Sequence, residues 1–78
     1  MFSFNGKIIK IWAVRIPSDA STDETSAVEL AQYGSIDGDP EVFLPTVLIP
    51  KVGFGTTLDL VVAAVRALPQ FEGSINIP

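Results

Sequence analysis

Residues Glu41 to Phe54 read EVFLPTVLIPKVGF, an extended run that is apolar on both sides and broken by Pro45 and Pro50. In a strand, Val42, Leu44, Thr46 and Leu48 point one way, and Phe43, Val47 and Ile49 point the other. A half-buried strand alternates apolar with polar residues. This run does not, so both of its faces call for cover. A proline has no N–H to give to a sheet ladder, which argues against a central strand. The segment 41–54 is therefore expected to be an edge strand, or an extended arm laid on another surface.

The chain upstream opens on a hairpin, residues 2–16. Asn5-Gly6 lies between Phe2-Ser3-Phe4 and Lys7-Ile8. Asn-Gly between apolar flanks is the strongest short hairpin signal, because both turn residues must accept φ > 0. The second arm, KIIKIWAVRI, alternates from Ile9, with Ile9, Ile11, Ala13 and Arg15 on one side and Ile8, Lys10, Trp12, Val14 and Ile16 on the other. Pro17 ends it, and Pro17 to Ser21 reads as a loop.

Ser21-x-x-Glu24 has the spacing of a capping box, and Asp23 and Glu24 fall where a helix dipole favours acids. Val28, Leu30, Ala31 and Tyr33 supply a modest apolar stripe, with Gly34 as a C-cap. These features predict a helix over 22–33, with a short strand over Val28–Tyr33 as the competing reading. Asp37-Gly38-Asp39-Pro40 is a turn by composition.

Beyond the 41–54 arm, Gly53-Phe54-Gly55 breaks the chain, and a Thr cap starts a second helix over 57–68. Asp59 sits in its first turn and Arg66 in its last, which suits the dipole. Asp59, Ala63 and Arg66 form a narrow seam, and apolar residues cover the rest, so the helix is expected to be buried nearly all round. The remainder, 70–78, is a tail with apolar tips at Phe71, Ile75 and Ile77. Together these elements make a small α+β domain spanning 1–78: a β-hairpin, two short helices and a proline-containing extended arm.

Composition narrows the chemistry. A 78-residue chain has a thin core, and it usually needs a disulfide, a metal or a partner chain to hold it. With neither Cys nor His, disulfides, thiolate and imidazole metal sites, and Ser-His-Asp or Cys-His nucleophilic systems cannot be built. The usual acid–base group of neutral pH is missing too. A tautomerase-like activity lacks a nucleophile or base. The expectation is a protein that is not an enzyme and holds no cofactor or metal.

A formal net charge of −4 disfavours nucleic acid as a partner. The charge is uneven. Residues 1–16 carry Lys7, Lys10 and Arg15, whereas 17–50 carry Asp19, Asp23, Glu24, Glu29, Asp37, Asp39 and Glu41 and no base. This is either a solvated acidic region or one half of a polar contact in which the basic strand meets a neighbour's acids. No run approaches the ~18 apolar residues of a membrane span. No secretory signal opens the chain, so a virion or cytoplasmic assembly is the expected location.

Three local features are candidate sites. Gly53-Phe54-Gly55-Thr56-Thr57 could offer backbone amides to an anion, but it lacks the dinucleotide and P-loop patterns and carries Asp59 nearby. A tight turn with a Thr cap explains it. Asp37, Asp39 and Glu41 have alternate spacing but too few ligands for a calcium loop, and a solvated turn explains them. Trp12 between Lys10 and Arg15 could stack a base, but it reads better as a core or interface anchor.

The functional expectation is a non-catalytic structural or assembly subunit of a larger multi-subunit particle, virion-like or shell-like, with other protein subunits as partners in a homo- or hetero-oligomer. Its expected interface residues are Trp12, Phe43, Leu44, Val47, Leu48, Ile49, Leu60 and Val61. The alternative is a small acidic regulator that blocks a basic site on a partner protein.

Overall fold

The tight turn at the N-terminus sets the first piece of the architecture. In the computed structural model, which describes residues 1–18 and 20–78, Asn5 and Gly6 take φ of 51° and 75°. Strands β1 (Phe2–Phe4) and β2 (Lys7–Arg15) pair across this turn, with Phe4 opposite Lys7. Both central residues are left-handed, as a two-residue hairpin loop requires.

Residues 22–33 are not a helix. The segment Thr25–Tyr33 is strand β3, the centre of the sheet. The Ser21 hydroxyl accepts from the amide of Asp23, two residues on, and so closes a local turn instead of capping a helix. Within β3 the side chains follow a period of two. Ser26, Val28 and Leu30 are buried on one side, while Thr25 and Glu29 are exposed on the other. Pairing on both flanks, with β2 on one and the later strands on the other, outweighs the helix preference of Ala, Glu, Leu and Gln.

The 41–54 segment docks along the free flank of β3 as two collinear strands. Strand β4 (Pro40–Phe43) pairs with residues 31–33, and β5 (Val47–Pro50) pairs with residues 25–28. The break at Leu44–Thr46 coincides with Pro45. It is therefore an edge strand of its own sheet, not a free arm. The amides of Leu44 and Lys51 donate inward, to the carbonyls of Leu30 and Glu24. Counting by twos from them, the missing N–H groups of Pro45 and Pro50 fall on the outward side. There they interrupt the ladder that another strand would need.

The rest of the chain closes the other flank. Thr57 caps α1 (Leu58–Arg66), its hydroxyl accepting from the Leu60 amide. A 3-10 turn at Pro69–Phe71 follows, and β6 (Ile75–Asn76) pairs with β1. The Arg66 guanidinium is half-buried and donates to the hydroxyl and carbonyl oxygens of Ser74, so it tethers the tail and does not lie on a free polar seam. The Ile77 amide donates to the Met1 carbonyl. Both ends of the chain are thus docked on each other.

Among the described residues the result is a sheet of six antiparallel strands, in the order β4-β3-β2-β1-β6 with β5 beside β3, and one α-helix. The expected count of two helices is reduced to one. The core lies between the sheet and α1, where Phe2, Ile9, Val28, Leu30, Val47 and Ile49 meet Val61, Val62, Val65 and Phe71. Phe2 and Phe4 both meet the ring of Phe71 edge to face, at centroid distances of 5.2 and 5.4 Å. The helix is buried on one side only: Leu58 and Leu60 face outward.

A candidate docking face on the open side of the sheet

Residues directly opposite each other in a ladder point to the same side of the sheet, so the register assigns the faces. The side away from α1 carries Lys10 beside Ala31 and Phe43, Ala13 beside Glu29, and Arg15 beside Ala27 and Leu48. At the β1 end it carries Ile8 beside Tyr33, and Ser3 beside Ile8 and Ile75. No element among the described residues lies over this side.

A bulge in β2 determines how Trp12 is presented. The register of β2 on β3 slips between Ile11 and Ala13, leaving Trp12 as the extra residue. Before the slip Ile9 and Ile11 face the core. After it Val14 does, while Ala13 and Arg15 face outward. The alternation expected from the sequence, with Val14 opposite to Ile9 and Ile11, is therefore reversed beyond Trp12. Bulges re-aim side chains in this way. Here Trp12 remains 56% exposed and meets Phe43, itself 60% exposed, edge to face at 5.2 Å.

An antiparallel sheet with a wetted face alternates apolar with polar residues. This face does not. Trp12, Phe43, Leu48 and Ile75 are exposed on it, while Ala31 and Tyr33 are buried. Its one lysine is drawn aside: the Lys10 ammonium donates to the Ile36 carbonyl at 2.6 Å and lies 4.3 Å from the centre of the Tyr33 ring.

The surface also has relief. A hollow of about 170 Å³ is lined by Trp12, Phe43, Glu29, Leu30, Leu44 and Thr46, where the edge strand breaks. A second, of about 190 Å³, lies by Arg15, Asp23, Thr25, Ala27 and Leu48. A larger hollow of about 260 Å³ opens on the helix side, between Phe4, Ile9, Gln32, Leu44, Val47 and Phe71.

The expected interface residues divide into two groups. Trp12, Phe43 and Leu48 come together on the open face, and Leu60 is exposed at the start of α1. Val47, Ile49 and Val61 are buried in the chain's own core, and Leu44 is packed against it. Their apolar character is explained by folding. The residues that sequence reasoning missed are Ile75 and Glu29. Ile75 joins the face through tail pairing, and Glu29 joins it because 25–33 is a strand.

No family model, curated protein or solved structure matches the chain. No helix is long and apolar enough to cross a membrane.

Four of the five basic side chains, Lys7, Lys10, Lys51 and Arg66, are engaged within the chain. Lys7 pairs with Glu41 at 3.1 Å, and the Lys51 ammonium donates to the carbonyls of Ser18 and Ser21. Of the basic strand, Lys7 thus meets an acid of its own chain, Glu41. Asp19, counted in the acidic stretch, lies outside the described residues. Glu41 turns to Lys7, away from any cluster with Asp37 and Asp39, and among the described residues no three Asp or Glu side chains converge to hold a metal. In the GFGTT segment the Thr56 amide is already bonded to the Gly53 carbonyl.

Proposed function

We propose that this chain is a non-catalytic assembly subunit that docks through the open face of its sheet onto other protein subunits of a larger particle. The observation that carries this reading is the uncovered apolar side on a sheet whose other side already has its helix. A sheet has two faces, and stable domains cover each apolar one with another layer. Exposed apolar patches of this kind mark interaction surfaces. The prolines of the edge strand disfavour strand addition along β4 and β5.

Among the described residues, the acids behind the acidic-regulator reading do not gather in one patch. Asp23 and Glu24 precede β3, and Asp37 and Asp39 follow it. The nine residues of β3 separate them by about 30 Å.

The test is native size. A tagged chain expressed in its own host should sediment from a gentle extract with a large species. Sedimentation as a free small protein in such extracts, with no large fraction, contradicts the reading.

A further inference from the structure

We propose that the hollow on the helix side of the sheet is a binding site for a neutral, single-ring aromatic molecule carrying one hydroxyl group, of the phenol class. The site lies across the sheet from the open face and does not depend on the assembly reading.

The hollow exists because the helix is short for its sheet. Nine residues of α-helix span about 14 Å, whereas nine residues of strand span about 30 Å. Whichever way α1 lies, part of the helix side stays open. No residue of α1 lines the hollow of about 260 Å³, which opens between the β1–β2 hairpin, β3, the break between β4 and β5, and the 3-10 turn. Its floor reaches the core, since Ile9, Val47 and Phe71 are buried. The rings of Phe4 and Phe71 meet edge to face in its wall. Aromatic walls favour an aromatic guest, which adds ring–ring contacts to its burial. An apolar cavity of about 150 Å³ accepts benzene. The present hollow therefore has room for one substituted ring.

The rim decides the chemistry of the guest. The chain has four Asn and Gln side chains, Asn5, Gln32, Gln70 and Asn76, and three of them line this one hollow. The three come from the hairpin turn, the central strand and the 3-10 turn, far apart in sequence. Gln32 stands opposite Ile9 in the ladder, so it shares the helix side with the buried Ser26, Val28 and Leu30. It interrupts that inward row and is half-buried at the hollow. Among the described residues, none of the three carboxamides enters a side-chain hydrogen bond. Each carboxamide both donates and accepts, and a hydroxyl group does the same, so it can serve either end. No Lys, Arg, Asp or Glu lines the hollow. A charged guest would lose water there without gaining a counter-charge, which restricts the site to neutral molecules.

The test is a titration of the purified, nitrogen-15-labelled chain with p-cresol, followed by the side-chain amide resonances. Those of Asn5, Gln32 and Gln70 should shift saturably, with half the change at roughly 1 mM, as suits so small a ligand. The Asn76 amide and the single Trp12 indole N–H, on the other side of the sheet, should stay still. Toluene, which lacks the hydroxyl, should bind about fivefold more weakly, the worth of one hydrogen bond. Benzoate, which carries a charge, should bind at least about tenfold more weakly. Gln32→Leu and Gln70→Leu should each weaken p-cresol about fivefold and leave toluene unchanged. Gln70 is exposed, so its variant keeps the fold even where Gln32→Leu does not.

Shifts that stay linear up to the solubility limit of p-cresol overturn the site. Equal binding of toluene or benzoate overturns its chemistry, as does unchanged p-cresol binding in the folded Gln70→Leu chain. Movement of the Trp12 indole resonance in place of the three amides would put the ligand on the open face and contradict the proposal.

Discussion

Val65→Asp yields no folded protein, whereas Leu60→Asp folds. Val65 is fully buried in the core between α1 and the sheet. A carboxylate there has no partner, and leaving one buried and unpaired costs several kcal/mol. The lost valine burial adds about 2 kcal/mol. At about 0.05–0.15 kcal/mol per residue, a chain of 78 residues has a total margin of roughly 4–12 kcal/mol. The substitution consumes most or all of it.

Leu60 lies five residues away on the same helix but is 61% exposed. An acid in the first turn of α1 suits the dipole, and the Thr57 cap bond runs to the Leu60 backbone amide, which the substitution keeps. Its effect should stay within about 1 kcal/mol. Soluble yield and thermal unfolding by circular dichroism separate the two variants. A folded Val65→Asp protein would show that the α1–sheet core is not the one described.

Replacing both Trp12 and Phe43 by Ser abolishes assembly and leaves the fold intact. Both side chains are more than half exposed and rest on each other, so the fold loses little beyond one aromatic pair, worth about 1 kcal/mol. An interface that uses them loses far more. The exposed parts of the two rings amount to about 200 Å² of apolar surface per copy, or about 5 kcal/mol of gross burial. Association should fall by about a thousandfold or more. The expected readouts are a thermal midpoint within a few degrees of wild type and a sedimentation profile shifted wholly to the smallest species. Unchanged assembly in the double variant would place the interface elsewhere. The second exposed apolar group, Phe54, Leu58 and Leu60 before and within the first turn of α1, is the remaining candidate.

Local chemistry made some elements readable before the structure. Asn5-Gly6 can hardly form anything but a tight turn, because few other residues take φ of 51° and 75° in succession. Pro45 and Pro50 announced an edge, since a central strand cannot spare their N–H groups. Thr57 and Asp59 marked the start of α1.

What could not be read was set by distant parts of the chain. Residues 25–33 contain good helix formers and a helix-like acidic opening, yet strands on both flanks make them the centre of a sheet. The bulge at Trp12 has no sequence signature of its own. It follows from fitting Ile9, Ile11 and Val14 into one core, and its effect is to turn Ala13 and Arg15 onto the open face. The arm residues Val47 and Ile49 looked like interface because no sequence rule says which of two apolar faces the chain itself will cover. The structure covers those two and leaves Phe43 and Leu48 outside.

The one tryptophan of the chain lies on the candidate face, so its fluorescence reads that face directly. At high dilution Trp12, 56% exposed, should emit as a wetted indole and be readily quenched by acrylamide. As the chain assembles, emission should shift to the blue and quenching should fall in step with the mass measured by light scattering. A tryptophan that stays wet and quenchable while the mass rises would contradict docking through the open sheet.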